Sequence, residues 1–426
     1  MRSHPEGAPT RGEAQADHTA RKPGILKQPM SVWATAFAAV VAFMGIGLVD
    51  PILPSIAKGL DASPSQVSLL FTSYFLITAV AMLVTGFVSS RIGGRRTLLL
   101  GLALVVIFAG LAGTSDSVGE LVGFRAGWGL GNALFVSTSL AVIVGAASGG
   151  SAAAILLYES ALGLGMACGP LLGAVLGDAS WRYPFYGTAA LMAIGFALIV
   201  GLLKEQPRPA HRIGLLDPLK ALGHRGLATT AAGAFFYNYG FFTVLAFTPF
   251  VLDMSPYRSG AVFFAWGVLL AVCSVLVAPR LQARFGSANV AAASLLLFAA
   301  DLGVLAYGST SVVVTGVIVS GAFIGINNTV FTELALEVSD SPRPVASAGY
   351  NFVRWFAAAA APFLAPKLEE HFNVHVPFLV AGAACVVAAA VLFGARRLLA
   401  GVDHRDTDTA ADAAPLNTPR PVPATA

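Results

Sequence analysis

The chain predicts an all-α polytopic membrane protein, with twelve transmembrane helices in two six-helix pseudo-repeats. Three observations carry this. Over half of the 426 residues are apolar and only 11% are charged, against roughly 25% charged in a soluble domain. The apolar residues come in long blocks rather than with a 3.6- or 2-residue period, as expected of segments surrounded by lipid. The two halves also look like diverged copies. Arg91-Ile92-Gly93 is matched by Arg284-Phe285-Gly286 at an offset of 193 residues, and Gly169-Pro170 by Ala361-Pro362 at 192. Tyr183-Pro184-Phe185 is matched by Val376-Pro377-Phe378 at 193, and Asp50-Pro51 by Thr248-Pro249 at 198.

In chain order, residues 1–30 are a polar tail expected to be disordered and cytoplasmic. A six-helix bundle over 31–203 follows, with spans near 31–53, 67–89, 97–114, 119–142, 152–177 and 184–203. Residues 204–226 break the hydropathy at the midpoint and hold five basic residues, as a cytoplasmic linker would. A second bundle fills 227–398, with spans near 227–252, 258–279, 288–306, 312–333, 345–365 and 377–395, before a disordered tail at 399–426. With the N-terminus inside, 20 of the 26 Lys and Arg fall on the cytoplasmic side, so the positive-inside rule puts both termini in the cytoplasm of a plasma (inner) membrane protein. The three cysteines all fall in spans and suggest no disulfide. No nucleic-acid partner is needed to account for the basic residues.

Within the fifth span, Gly165, Gly169, Gly173 and Gly177 recur every fourth residue. They make a smooth ridge along which another helix can approach closely. Pro170 removes a backbone donor and crowds the carbonyl of Met166, so a bend is expected there. Gly165, Gly169, Pro170 and Gly173 therefore mark a close helix contact, which a generic packing helix would also show.

Polar side chains within spans are costly and are functional candidates by default. Asp50 lies about 25 Å along the first helix from Trp33, and Arg125 about 8 Å down the fourth from Glu120, which places both at a comparable depth. They are read as a proton-sensitive pair, against a headgroup-level carboxylate and a structural arginine. Glu159 shares a helix face with Gly163, Met166 and Pro170 and is a second acidic candidate, against a role in packing alone. The seventh span is ringed by aromatics, which suit hydrophobic or cationic ligands. Phe236, Tyr237, Asn238, Tyr239 and Phe242 are thus substrate-binding candidates, with Asn132 and Asn328 as hydrogen-bonding ones. For each of these alone, packing or interhelical hydrogen bonding is the more common role.

Several chemistries are excluded or demoted. No Gly-Lys pair occurs, so there is no P-loop; Gly127, Gly129 and Gly131 follow no strand; no H-E-x-x-H or G-x-S-x-G is present. His371 and His375 have i,i+4 spacing but no third His nearby. Neither an enzyme, nor a cofactor, nor a metal site is expected.

Six stretches carry a family resemblance. V-D-P-I-L-P-S-I-A at 49–57 resembles a first-helix exit motif, and G-F-V-S-S-R-I-G-G-R-R at 86–96 the signature loop G-x-x-x-D-R-x-G-x-R-R. F-R-A-G-W-G-L-G-N-A at 124–133 is similar to the fourth-helix motif, and G-x-x-x-G-P-x-x-G at 165–173 to the antiporter motif of the fifth. With N-N-T-V-F-T-E and Y-N-F-V-R-W-F in the second half, the chain resembles the major facilitator superfamily, in particular its bacterial 12-helix drug:proton antiporters. The resemblance implies a monomeric, proton-coupled secondary transporter in the lipid bilayer, working by alternating access. It would export hydrophobic or amphipathic drug-like small molecules in exchange for protons. Export of one endogenous metabolite or lipid-like molecule, or a non-transporting sensor, are the alternatives. The resemblance also implies gating roles for Arg91, Gly93, Arg95 and Arg96 and, through the antiporter motif, for Gly165, Gly169, Pro170 and Gly173, with a generic packing helix as the alternative for the last four. Ser90 stands where the family places Asp, so Arg91 is expected to find another partner, such as Glu333 or Asp340, or else the cytoplasmic lock is weakened.

Overall fold

The computed structural model describes residues 28–147, 151–205, 212–339 and 341–396, apart from the side chains of 151–153, 155, 156 and 159. Nearly all of both expected tails, and the middle of the linker, lie outside the described residues. The helices are α1 (Met30–Gly47), α2 (Leu53–Gly59), α3 (Pro64–Ile92), α4 (Gly94–Gly113), α5 (Val118–Ala146), α6 (Ser151–Ala179) and α7 (Tyr183–Leu202). After the linker come α8 (Asp217–Ala221), α9 (Arg225–Leu252), α10 (Pro256–Val272), α11 (Ala278–Phe285), α12 (Ser287–Tyr307), α13 (Thr310–Glu337), α14 (Arg343–His371) and α15 (Val376–Gly394).

Local sequence explains the breaks. The first span is not one helix: α1 gives way to a 3-10 turn at Asp50–Ile52 and then to α2. Pro51 and Pro54 follow the break, and neither can donate to an α-helical ladder. Between α10 and α11 the helix widens into a π-helical turn at Cys273–Val277, just before Pro279. At the start of α3, Ser63 and Gln66 form a reciprocal capping box around Pro64, a strong N-terminal stop.

Eleven helical segments among the described residues are long and apolar enough to cross a membrane. The twelfth, α14, is long but carries Arg343, Arg354, Lys367, Glu369 and Glu370. It packs between α3 and α9, with Arg354 half-buried and Arg343, Lys367 and Glu370 exposed near its ends.

The first half is built by α1 against α5, α6 and α7, with α3 and α4 on α5, and the second by α9 against α14 and α15, with α12 and α10 on α13. The halves meet along two principal seams, α3 with α14 and α6 with α10. Backbone geometry makes the repeat concrete. The positive-φ residues among those described are Asp61, Gly93, Asp253 and Gly286. Asp61 and Asp253, 192 positions apart, sit in the turns after the first and seventh spans. Gly93 and Gly286, the glycines of the repeated Arg-x-Gly, have φ of 92° and 78°. Each ends one helix and begins the next, in a conformation glycine adopts without steric cost. Packing repeats as well: Gly129 seats against the Tyr74 carbonyl and Gly321 against that of Trp266, again 192 positions on.

Candidate functional site

The break in the first span determines where Asp50 lies. Asp50 opens the 3-10 turn and is fully buried. Neither carboxylate oxygen has a hydrogen-bond partner among the described residues. A side chain on Gly47 would have its Cβ 3.1 Å from Pro170 Cδ and 3.6 Å from Asp50 Oδ2. Asp50 and the proline of α6 therefore share one corner, and it is open because residue 47 is glycine.

Arg125, on α5, is also fully buried, and none of its three guanidinium nitrogens has a hydrogen-bond partner among the described residues. Its guanidinium carbon sits 4.4 Å from the Tyr74 ring centroid, 4.6 Å from Trp128 and 5.9 Å from Phe71. Ring faces carry negative potential and partly replace the missing anion. Asp50 and Arg125 interact electrostatically, yet they are not among the ion pairs closer than 4.0 Å. An acidic and a basic side chain thus lie near each other, withdrawn from water and without an ion-pair contact. An uncompensated buried charge costs several kcal/mol, so a group that neutralises or hydrates either one has a large effect here. Asn132, two turns along α5, is buried with its amide unpartnered among the described residues.

Helix α6 presents small residues on two faces, to different neighbours. Cβ atoms at Gly165 and Gly169 would lie 2.5 Å from the Val40 carbonyl oxygen and 2.6 Å from that of Met44. At Gly173 and Gly177 the Leu48 carbonyl and the Ile52 side chain are closer still. The ridge therefore docks on α1 within its own half, every fourth residue meeting every fourth residue. The face toward the other half is Gly163, Ala167, Pro170 and Ala174, against Ala271, Gly267 and Gly260 of α10. A Cβ at Gly267 would be 2.6 Å from Ala167 Cα, and one at Gly260 would be 2.8 Å from the Pro170 carbonyl. Glu159 belongs to α6, but its side chain lies outside the described residues.

The aromatics of α9 divide. Phe242 reaches the seam between halves, 4.5 Å from Phe75 of α3 and 6.0 Å from Trp355 of α14. Tyr237 stacks on Phe331 of α13 at 5.5 Å. Phe236 is half-buried, edge-on to Phe235. Tyr239 is buried with its hydroxyl unpartnered among the described residues. The Asn238 amide donates to the Ala234 carbonyl at 2.8 Å, within its own helix. Asn328 is half-buried, while its neighbour Asn327 donates to Ser294 of α12 at 3.0 Å. Sequence reasoning missed Tyr74, Phe75 and Trp355. A usable signal is present, since Phe71, Tyr74, Phe75 and Thr78 share one face of α3 at i, i+3, i+4 and i+7.

At Ser90 and Arg91 the signature loop is anchored by carbonyls rather than by an acid. Ser90 accepts from the Ile213 N–H at 3.4 Å and donates to the Phe87 carbonyl at 3.0 Å. Arg91 donates to the carbonyls of Phe87 and Ile213 and lies 3.4 Å over the Phe87 ring. The expected partner Glu333 accepts instead from Gln282 at 2.5 Å, and Asp340 lies outside the described residues. The replacement of Asp by Ser is thus met by the linker. A hydroxyl both accepts and donates, so Ser90 serves the Ile213 N–H and the Phe87 carbonyl together, which an ionised carboxylate, an acceptor only, could not. Arg95 donates to the Leu203 and Val200 carbonyls at 2.6 and 2.9 Å, capping the end of α7, and Arg96 pairs with Glu205 at 3.2 Å.

Comparison with known proteins places this geometry. The model of the Major Facilitator Superfamily matches residues 35–362. The multidrug efflux protein YfmO of Bacillus subtilis is 49% identical over 384 residues, which cover 90% of this chain and 97% of that protein. The tetracenomycin C resistance and export protein of Streptomyces glaucescens is 31% identical over 172 residues, 38% of this chain and 32% of that one. Among solved structures, a D-xylose-proton symporter superposes with a TM-score of 0.71 at 18% identity, covering 85% of this chain and 96% of the other. The human organic anion transporter MFSD10 gives 0.68 at 18% identity over 85% and 99%. At that identity these two attest the fold alone.

Proposed function

The chain belongs to the Major Facilitator Superfamily, as a multi-pass membrane transporter and not an enzyme, and from that premise we propose that it is a multidrug efflux transporter that exchanges drug-like compounds for protons. The similarity to YfmO over nearly the full length of both proteins supports the efflux role. Proton coupling rests on one observation: Asp50 and Arg125, an acid and a base, are both fully buried and without hydrogen-bond partners among the described residues.

In this reading, residues 31–203 rock against 227–398, with the termini and linker at the cytoplasmic face. Asp50 carries the exchanged proton, Arg125 sets the local potential, and Glu159 is a second acidic site. An ionised Asp50 stabilises a bound cationic or polarisable aromatic substrate, and protonation removes that attraction. By linkage, substrate binding expels the proton by the same free energy. The α6–α10 seam is the sliding contact, and the signature loop with Arg91, Gly93, Arg95 and Arg96 holds the cytoplasmic ends. Substrate contacts come from Phe242, Tyr239 and the other α9 aromatics, with Asn132 and Asn328 as polar partners. Liposomes bearing the protein and an acidified lumen should accumulate ethidium and lose it when a protonophore collapses the gradient. Equal ethidium flux with and without the gradient would refute the coupling.

A further inference from the structure

The charged pair and the seam between the halves are joined by an unbroken chain of ring contacts. Arg125 lies 4.4 Å over the face of Tyr74. Tyr74 meets its neighbour Phe75 edge to face at 5.1 Å, and meets Trp128 in the same way at 6.2 Å. Phe75 then crosses to the other half, against Phe242 at 4.5 Å and Trp355, nearly parallel, at 5.4 Å. Phe75, Phe242 and Trp355 are 0%, 2% and 5% exposed, so in this conformation the three rings close the middle of the α3–α14 seam. Tyr74 is also fixed from behind. Gly129 seats on its backbone carbonyl, and Thr78 donates to the same carbonyl at 2.7 Å. The ring therefore has a fixed base, its buried hydroxyl has no hydrogen-bond partner among the described residues, and what bears on its face is the guanidinium.

We propose that Tyr74 and Phe75 are positioning residues that transmit the charge state of Asp50–Arg125 to the Phe75–Phe242–Trp355 seal, and that a planar aromatic substrate takes the place of that seal. The proposal rests on the proton-coupled reading above. With Asp50 protonated, Arg125 has only the ring faces of Tyr74, Trp128 and Phe71 to lean on. It holds Tyr74, and through it Phe75, in the sealed arrangement. With Asp50 ionised, the carboxylate draws the guanidinium toward α1 and weakens its hold on Tyr74. Phe75 can then part from Phe242 and Trp355, exposing three ring faces that a flat aromatic compound covers by stacking. The ligand gains those faces only in the unsealed state, which is the differential affinity that a population shift requires.

The charged and titratable groups that bear on this cluster can be named. Arg125 comes from α5, Asp50 from the 3-10 turn, and Arg354 from α14, its guanidinium 5.5 Å from the Trp355 ring. Tyr237 and Tyr239 lie on α9. Lys58, Glu120, Arg343, Lys367, Glu369 and Glu370 belong to the ends of the helices packed around α3.

The test is ethidium binding to the full chain in lipid nanodiscs at pH 5.5 and pH 8.0. Wild type should bind more weakly at pH 5.5, by about tenfold. Tyr74→Leu, which removes the ring face, should cut that ratio to under about twofold while leaving affinity at pH 8.0 within about threefold. Tyr74→Phe keeps the face and should keep the ratio, a rescue that a merely structural role would not produce. Phe75→Leu should compress the ratio too, with Trp355 emission becoming insensitive to pH against a Trp355→Phe control. A wild-type ratio retained in Tyr74→Leu, or lost equally in Tyr74→Leu and Tyr74→Phe, overturns the proposal. A wild type with no pH dependence at all would instead overturn the proton-coupled reading on which it rests.

Discussion

Helix α6 has two small-residue faces, and their difference locates rigidity and motion in the first half. On the α1 face the glycines belong to α6 itself, at Gly165, Gly169, Gly173 and Gly177, and they meet mostly backbone carbonyls. On the α10 face α6 offers Gly163, Ala167, Pro170 and Ala174, and two further glycines, Gly260 and Gly267, come from the opposing helix. Contact against a carbonyl within one half leaves no way to relieve a bulkier side chain except by parting α1 from α6. Contact between halves can be relieved by shifting one half, as alternating access requires. The same close approach should therefore cost stability on one face and turnover on the other.

The largest effect that could break this contrast is Gly169→Leu. The branched side chain would have to displace the Met44 carbonyl, costing about 3 kcal/mol or more. The variant should melt well below wild type in detergent; a wild-type melting temperature would mean that α1 and α6 are not rigidly joined. Gly267→Leu should act oppositely, lowering ethidium export at least tenfold while stability changes by less than about 1.5 kcal/mol. Loss of stability equal to that of Gly169→Leu would erase the distinction between the faces.

Much of this organisation is legible in the sequence, and the exceptions have physical causes. The helix count and the repeat follow from apolar blocks and matched Arg-x-Gly and Pro positions, since lipid permits few spanning structures. Asp50 and Arg125 follow from counting rise along helices, because charges inside spans are rare. The ridge of α6 is also legible, but its neighbour is not. Four-residue spacing defines a face and does not say whether α1 or α10 covers it. The partner of Ser90 is hidden because Ile213 is 123 residues away on a linker with no periodic signal. Tyr74, Phe75 and Trp355 are hidden because aromatics in a membrane span face lipid, core or pathway with equal ease. α14 reads as a weaker span for a reason the fold supplies: it lies between α3 and α9, so its charged residues are not set wholly in lipid.

Two smaller effects sharpen the account of the two ends of the bundle. Ser90→Ala leaves the Ile213 N–H without its acceptor, at a cost of about 1 kcal/mol. It should speed proteolysis of the linker near residue 213 without abolishing export; an unchanged cleavage rate would mean that the linker is held elsewhere. Glu369, at the far end of α14, has its carboxyl pushed up by partial burial and by the neighbouring Glu370. The folded protein then keeps this proton at a pH where the unfolded chain has lost it. Its contribution to stability therefore falls as pH rises from the ordinary glutamate value through the raised folded one. Glu369→Gln should flatten that part of the stability–pH curve slightly, and an unchanged slope would exclude Glu369 as its source.

The most direct test of the central claim, that Asp50 carries the exchanged proton, is proton release on adding ethidium to purified protein in weakly buffered detergent solution. Wild type should release protons as ethidium binds. Asp50→Asn, which resembles the protonated form and cannot titrate, should bind without release, and Glu159→Gln should retain most of it. Undiminished release from Asp50→Asn would contradict the assignment, and loss confined to Glu159→Gln would transfer the role to α6.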